Sequence, residues 1–283
     1  MLALDTVRYT VGKATLVESV SLAVAPGEVV AVVGANGAGK TTLLRLASGD
    51  LAPSAGTVRL DGRTLRSYPP DGLARQRAVL PQSTALTFGF TAREVVLLGR
   101  TPHAAGQAQD DHIADQALHL AGVTHLAERS YPTLSGGEQQ RVHFARALAQ
   151  LWENPSSGAR YLLLDEPTAS LDPAHQHAVL GVAQRCAEAG VGVLAVLHNL
   201  NLAAFYADRI AVLRRGHLVA LGPPQAVLTP ETIRHAFGLD VLVQTHPVAG
   251  CPLVIAMPVG PSLPTAPPMG VAHQNGQASA PLG

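Results

Sequence analysis

The chain has no excess charge of either sign: 20 basic and 20 acidic residues cancel over 283 positions. Proteins that live on nucleic-acid backbones usually carry a basic surplus, so nucleic acid is not an expected partner. Cysteine is scarce. Cys186 and Cys251 stand too far apart for a disulfide framework or a metal finger and read as reduced thiols of a cytosolic protein. No uncharged apolar run approaches the roughly 18 residues that mark a bilayer-crossing helix. The apolar stretches beyond Val241 are broken by Pro247, Pro252, Pro258 and Pro261, a spacing no spanning helix tolerates. The start, with Asp5, Arg8 and Lys13 in an alternating pattern, lacks the basic-then-apolar order of a signal peptide. A role at a membrane would therefore run through partner subunits. What is present is 47% hydrophobic residues against 14% charged, enough for a sizeable core.

The pattern along the chain is β, then helical, then β/α. Leu2 to Tyr9, Ser19 to Val24 and Glu28 to Val33 read as strands, with Pro26-Gly27 as a turn. Val29 to Val33 is apolar on both faces and predicts a fully buried strand. A glycine-rich loop follows, then a helix from Thr41 to Ser48, and a strand from Thr57 to Leu60. Arg93 to Leu98, Asp110 to Ala121 and Glu138 to Gln150 have helical apolar spacing. Strands return at Tyr161 to Leu164 and Val191 to Leu197, separated by a helix from Pro173 to Ala189, and again at Ile210 to Leu213 and His217 to Leu221. Two units are expected: residues 1–240 as an α/β domain with a helical subdomain at about 83–150, and 241–283 as a Pro/Gly/Ala-rich tail, largely extended or disordered.

Gly34-Ala35-Asn36-Gly37-Ala38-Gly39-Lys40-Thr41 fits the phosphate-loop pattern G-x-x-x-x-G-K-[ST], with Thr42 continuing into the helix. Glycines let the backbone curl so that N–H groups converge on phosphate oxygens, and the helix start adds partial positive charge. Lys40 supplies a point charge for the outer phosphates and Thr41 a hydroxyl for Mg²⁺, so ATP and Mg²⁺ are the expected substrate and ion. Tyr161 to Leu164 then ends in Asp165-Glu166. The end of a parallel strand is where ligands bind in such sheets. Asp165 is placed to hold Mg²⁺, and Glu166 to polarise an attacking water.

Leu134-Ser135-Gly136-Gly137-Glu138-Gln139-Gln140-Arg141 resembles the signature motif of ATP-binding cassette proteins, which phosphate-loop enzymes in general lack. The resemblance covers about the first 240 residues and implies a P-loop NTPase (RecA-like) core with an N-terminal antiparallel β subdomain and a helical insertion. It implies a head-to-tail homodimer in which Ser135, Gly136 and Gly137 of one copy face the phosphate loop of the other. Gln82 resembles the glutamine joining Mg²⁺ and water to the transporter-facing surface, Ser170-Leu171-Asp172 the loop that crosses the dimer interface, and His198 the switch histidine at the γ-phosphate. Tyr9 stands where the adenine-stacking aromatic is expected; a strand-face aromatic packed in the sheet is the other reading of that position. One departure is Asn199, where relatives usually carry aspartate; it is expected to support local geometry more than chemistry.

Within the family, Leu80-Pro81-Gln82, Phe90 to Val96, Gly99-Arg100-Thr101-Pro102-His103 and Leu197 to Ala204 resemble ATPases of the haem, iron-siderophore and cobalamin import group. The Gly-Arg-x-Pro-His stretch and the tail's His246-Pro247 and Gly250-Cys251-Pro252 are most similar to haemin-importing members, with iron-siderophore or cobalamin import as the alternative. Cys251-Pro252 reads as part of a docking segment in preference to a haem thiolate site. The resemblance implies an ATPase at the cytoplasmic face of the inner membrane, bound to a permease dimer and indirectly served by a periplasmic binding protein. Soluble cassette ATPases of DNA repair or translation are the rival class. Their long coiled-coil insertions or fused second cassettes are missing here.

Overall fold

The computed structural model describes residues 1–82, 89–155 and 158–258. Strands β1 (Leu2–Val11) and β2 (Ala14–Val24) form a hairpin, followed by β3 (Val29–Gly34), helix α1 (Lys40–Ser48), β4 (Ala55–Leu60) and β5 (Arg63–Thr64). Next come α2 (Pro70–Gln76), β6 (Arg77–Leu80), α3 (Ala92–Leu97), α4 (Gln107–Leu120) and α5 (Gly136–Gln150). The chain continues through β7 (Tyr161–Asp165), α6 (Pro173–Glu188), β8 (Gly192–Val196), α7 (Leu200–Tyr206), β9 (Arg209–Arg214) and β10 (His217–Gly222). It closes with α8 (Pro224–Val227), α9 (Pro230–Phe237), β11 (Val241–Thr245) and β12 (Pro252–Ala256).

The strands make a four-stranded antiparallel sheet, β2-β1-β4-β5, and a six-stranded sheet, β10-β9-β3-β8-β7-β6. In the larger sheet every neighbouring pair is parallel except β9 with β10. Alternate side chains of β3 serve two cores. Val30 and Val32 pack with α1 and the smaller sheet, beside Leu43, Leu44, Leu4 and Val20. Ala31 and Val33 face the other side, where Leu162, Leu164, Val179 and Ala203 gather. This is why the run is apolar throughout: neither face of the strand meets water.

Helices α3, α4 and α5 pack on one another, and two arginines tie them. Arg93 reaches Asp111 at 3.0 Å and Asp115 at 2.8 Å on α4. Arg100, with a side chain 2% exposed, meets Asp110 at 2.7 Å and Glu153 at 2.5 Å and donates to the Ala149 carbonyl at 2.9 Å. Gly99 lies so close to α5 that a Cβ there would stand 2.3 Å from the Arg146 carbonyl oxygen. His103 ring Nε2 lies 2.9 Å from the Gln150 carbonyl. The Gly99-to-His103 stretch is thus a packing device of this helical unit. The start of the expected helical subdomain, residues 83–88, lies outside the described residues.

The tail departs from expectation. A segment without packed structure was expected from Val241; instead β11 and β12 pair as an antiparallel hairpin, in register from Val241↔Ala256 to Thr245↔Pro252. Proline is compatible with the first residue of a strand, which is where Pro252 sits. Val241, Val243, Val254 and the half-buried Cys251 pack against the main core, and this burial holds the hairpin in place. The remaining expected tail, 259–283, lies outside the described residues.

His143 of α5 is buried, with Nε2 2.8 Å from the Tyr131 hydroxyl. Loss of solvent, and secondarily the nearby Arg146, push its proton affinity down to about 4. The unfolded imidazole titrates near 6.5. The stability carried by neutral His143 is therefore complete above that pH and is lost as pH falls towards 4, by about 3 kcal/mol in all. His143→Phe should flatten this dependence, shrinking the stability difference between pH 7 and pH 4.5 by about 2 kcal/mol. Urea unfolding at the two pH values measures it, and an unchanged slope contradicts the assignment.

Candidate active site

The buried strand β3 delivers the chain into the loop at Gly34, and α1 begins at Lys40. Gly39 caps that helix at φ 99°, where a Cβ would stand 2.4 Å from the Leu16 carbonyl oxygen; only glycine fits both the conformation and the space. Lys40 is 6% exposed, and its ammonium donates to the carbonyls of Gly34 at 2.9 Å and Ala35 at 3.1 Å. Burial lowers its proton affinity, opposed by the charges of Glu166 and Asp165. The ammonium is thus held inside the loop that the pattern assigns to phosphate.

Opposite stands the end of β7. Asp165 is 3% exposed and accepts a hydrogen bond from the Thr41 hydroxyl at 3.1 Å. Burial raises its carboxyl above the usual range, while the Thr41 hydrogen bond and Lys40 work the other way. A hydroxyl and a carboxylate side by side are hard oxygen donors that suit Mg²⁺, which takes one or two protein groups and completes its shell with phosphates and water.

Glu166 follows with φ 52°, in the left-handed region, and its carboxylate meets partners other than the Thr41 hydroxyl held by Asp165. It accepts from Gln82 Nε2 at 2.8 Å, and its other oxygen lies 2.5 Å from His198 Nε2. Its backbone N–H donates to the Val196 carbonyl at 3.2 Å, and its carbonyl accepts from Gln140 Nε2 at 2.8 Å. Gln82, Glu166, His198 and the loop residues Asn36 to Thr42 line one cleft of about 640 Å³. A carboxylate between a glutamine and a histidine, facing a phosphate loop, can orient and deprotonate a water beside a bound phosphate.

Some expected residues lie elsewhere. Tyr9 is half-buried, paired directly across the hairpin with the buried Val17; the cleft wall from this hairpin is Leu16. Ser135 and Gly136 are exposed at the start of α5 and do not line the cleft. There the Ser135 hydroxyl donates to Glu138 at 2.8 Å and the Ser135 N–H does the same at 2.8 Å, a capping box that holds the Glu138 carboxyl below its usual range. A Cβ on Gly137 would meet the Ser170 carbonyl at 3.0 Å, so this helix start lies against the Ser170-Leu171-Asp172 loop. Asp172 caps α6, accepting from the His175 N–H at 3.0 Å, and that bond lowers its carboxyl. Ala35 to Thr42, Gln82, Asp165, Glu166 and His198 therefore come together; Ser135, Gly136 and Asp172 are exposed in a second group, with Gly137 half-buried beside them against the Ser170 carbonyl.

Two contributors were not assigned from the sequence. Gln140 anchors the Glu166 carbonyl, and its only local signal is its place in the Glu-Gln-Gln-Arg string. Leu16 forms part of the cleft wall. Asn199 proves to be the cap of α7, its side chain accepting from the N–H groups of Asn201 at 2.9 Å and Leu202 at 3.2 Å.

The chain is similar over most of its length to known proteins. The ABC transporter family model matches residues 17–169. A hemin import ATP-binding protein of Gloeobacter violaceus is 55% identical over 260 residues, covering 91% of this chain and 94% of that one. Among solved structures, a metal-chelate type ABC transporter in an inward-facing conformation has TM-score 0.75 at 27% identity, with 90% of this chain and 96% of that chain covered. A dimeric ATP-binding cassette in a post-hydrolysis state with ADP and Pi has TM-score 0.69 at 27% identity, covering 79% and 98%.

Capping by Asn199 carries a prediction. Asn199→Ala should cost about 1 kcal/mol of stability, whereas Asn199→Asp keeps the capping acceptor and should stay near wild type. Thermal unfolding without nucleotide separates the two, and equal losses would refute a capping role.

Proposed function

Since the chain belongs to the ABC transporter family, we propose that it is the subunit whose ATP hydrolysis drives import of haemin through a separate membrane permease. The observation that carries the reading is the division of the nucleotide site. One group of residues, Lys40, Thr41, Asp165, Glu166, Gln82 and His198, is assembled around the phosphate loop, while Ser135 and Gly136 stand exposed outside it. A single chain supplies each half once, so two copies arranged head to tail complete two sites. Haemin is the proposed cargo because a relative 55% identical over 260 residues is a hemin import ATP-binding protein, and the Gly99-to-His103 stretch resembles haemin-importing members of the family.

In this mechanism the loop amides and Lys40 hold the β- and γ-phosphates of ATP, Lys40 exchanging its loop carbonyls for phosphate oxygens. Thr41 and Asp165 would hold Mg²⁺, with Gln82 at its edge; the ion supplies charge compensation on the phosphate oxygens. Tyr9 is assigned to the adenine, by a shift from its half-buried position. Glu166 takes the proton of the attacking water, and His198 steadies the carboxylate and reaches the γ-phosphate. Ser135, Gly136 and Gly137 of the second copy close on that phosphate through a helix start, a natural anion site. Asp172 sits in the loop between the copies. Closure moves the region around Gln82 to Arg100, which presses on the permease. Among the described residues no helix is long and apolar enough to cross a membrane, so placement at the cytoplasmic face rests on the permease.

Glu166→Gln should still bind ATP but release phosphate more slowly by several orders of magnitude, and should accumulate as an ATP-bound dimer on gel filtration. Near-normal turnover would remove Glu166 from its role. With the permease in vesicles, haemin delivered by its binding protein should raise ATPase activity. No rise with haemin, but a rise with an iron-siderophore or cobalamin, would reassign the cargo.

A further inference from the structure

Helix α7 begins two residues after His198, so the position of that helix bears directly on where the imidazole stands. His198 is 44% exposed, and the contact that holds its ring is the one to Glu166. Its backbone leaves β8 at Val196 and enters α7 at Leu200 through the Asn199 cap. The end of β8, where the Leu197 N–H donates to the Val32 carbonyl at 3.0 Å, holds His198 from one side, and the placement of α7 holds it from the other.

One side of α7 is gripped by the C-terminal hairpin. The Asn201 amide makes two hydrogen bonds to a single residue of β12: Nδ2 donates to the Val254 carbonyl at 3.1 Å, and Oδ1 accepts from the Val254 N–H at 2.7 Å. Both polar groups of Val254 thus turn to Asn201, and the amide occupies the place that the peptide of a further strand would take. Only a side chain with one donor and one acceptor in that geometry can do this. One turn further along α7, Phe205 meets the His246 ring edge-on at 6.3 Å between centroids. Among the described residues, the hydrogen bonds that join residues 241–256 to the body of the protein are those of Asn201. The polar link and the ring contact both land on α7, on the same helical face.

We infer that Asn201 is a positioning residue for ATP hydrolysis: it clamps α7 to the β11–β12 hairpin and so holds His198 against Glu166. The inference rests on the proposed role of His198. Releasing the clamp should leave the phosphate loop intact, because among the described residues the side-chain hydrogen bonds of Lys40, Thr41 and Asp165 go to the Gly34 and Ala35 carbonyls and between Thr41 and Asp165, not to α7 or the hairpin. The loss should therefore fall on turnover and spare ATP binding, as small displacements of reacting groups do.

The test uses the full chain and its permease complex. Asn201→Leu keeps the volume and removes both hydrogen bonds; Asn201→Asp keeps the acceptor for the Val254 N–H and removes the donor. Each is measured for kcat, KM for ATP and ATP-binding stoichiometry, alone and combined with His198→Ala. In Asn201→Leu, kcat should fall roughly tenfold with KM within about twofold and stoichiometry unchanged. Asn201→Asp should show the same split to a lesser degree. In the His198→Ala background the Asn201 effect should disappear, because residues that act as a unit are not additive. A merely structural role would lower stoichiometry, or would lower kcat by the same factor in both backgrounds; either result overturns the inference, as does a folded Asn201→Asp with wild-type kcat. If His198→Ala itself leaves kcat untouched, the reading of His198 fails instead.

Discussion

The site depends on one strained peptide, the turn from Asp165 into Glu166. A residue with a Cβ enters the left-handed region only at a cost of roughly 1–3 kcal/mol, and it stays there only where its surroundings over-determine it. Glu166 is over-determined. Its N–H is held by the end of β8 and its carbonyl by Gln140 of α5; its carboxylate lies between Gln82 and His198. The consequence is a divergence of two adjacent acids. Asp165 stays with Thr41 at the phosphate loop, and Glu166 swings into the open cleft. An ordinary extended step would also have sent the two side chains apart, but without the reversal that gathers contributions from three other segments around the second.

The two-faced sheet makes this convergence possible. β3, β7 and β8 lie side by side in register, so the phosphate loop, the paired acids and His198 all emerge from the same edge. Burial of both faces fixes the strands, and the strands fix the loops that carry polar groups. The helical unit of α3, α4 and α5 is built on different terms. Its joints are the buried Arg100 and the close approach at Gly99, so it holds together as a body of its own while Gln140 links it to the acid turn.

Much of this was legible because the decisive residues are consecutive. The phosphate loop, the acid pair and the helix start at Ser135 each announce themselves within eight residues or fewer, and the strands before them are uniformly apolar. What escaped depends on distance or on small irregularities. Helices α2, α8 and α9 open with Pro70, Pro224 and Pro230, where proline favours a helix start but resembles a loop in a short pattern. The hairpin of β11 and β12 is hidden by Pro247 and Pro252. Tyr9 and Leu16 lie where the register between β1 and β2 shifts on both sides of Tyr9, and no alternation rule foresees which face a bulge selects. Gln140 acts across 26 residues and Asn201 across 53, on backbone groups that no local pattern identifies.

The capping box at Ser135 has a bearing on how the subunits meet. Its hydroxyl already has a resting place on Glu138, so the outward-facing helix start is chemically content while the protein is alone. An incoming γ-phosphate would trade one acceptor for another, and such exchanges yield only a modest net gain unless the newcomer brings full charge. Bare subunits thus have little reason to cling at this face. In the proposed head-to-tail pair the triphosphate would itself be the adhesive, and the encounter between copies would be timed by nucleotide supply.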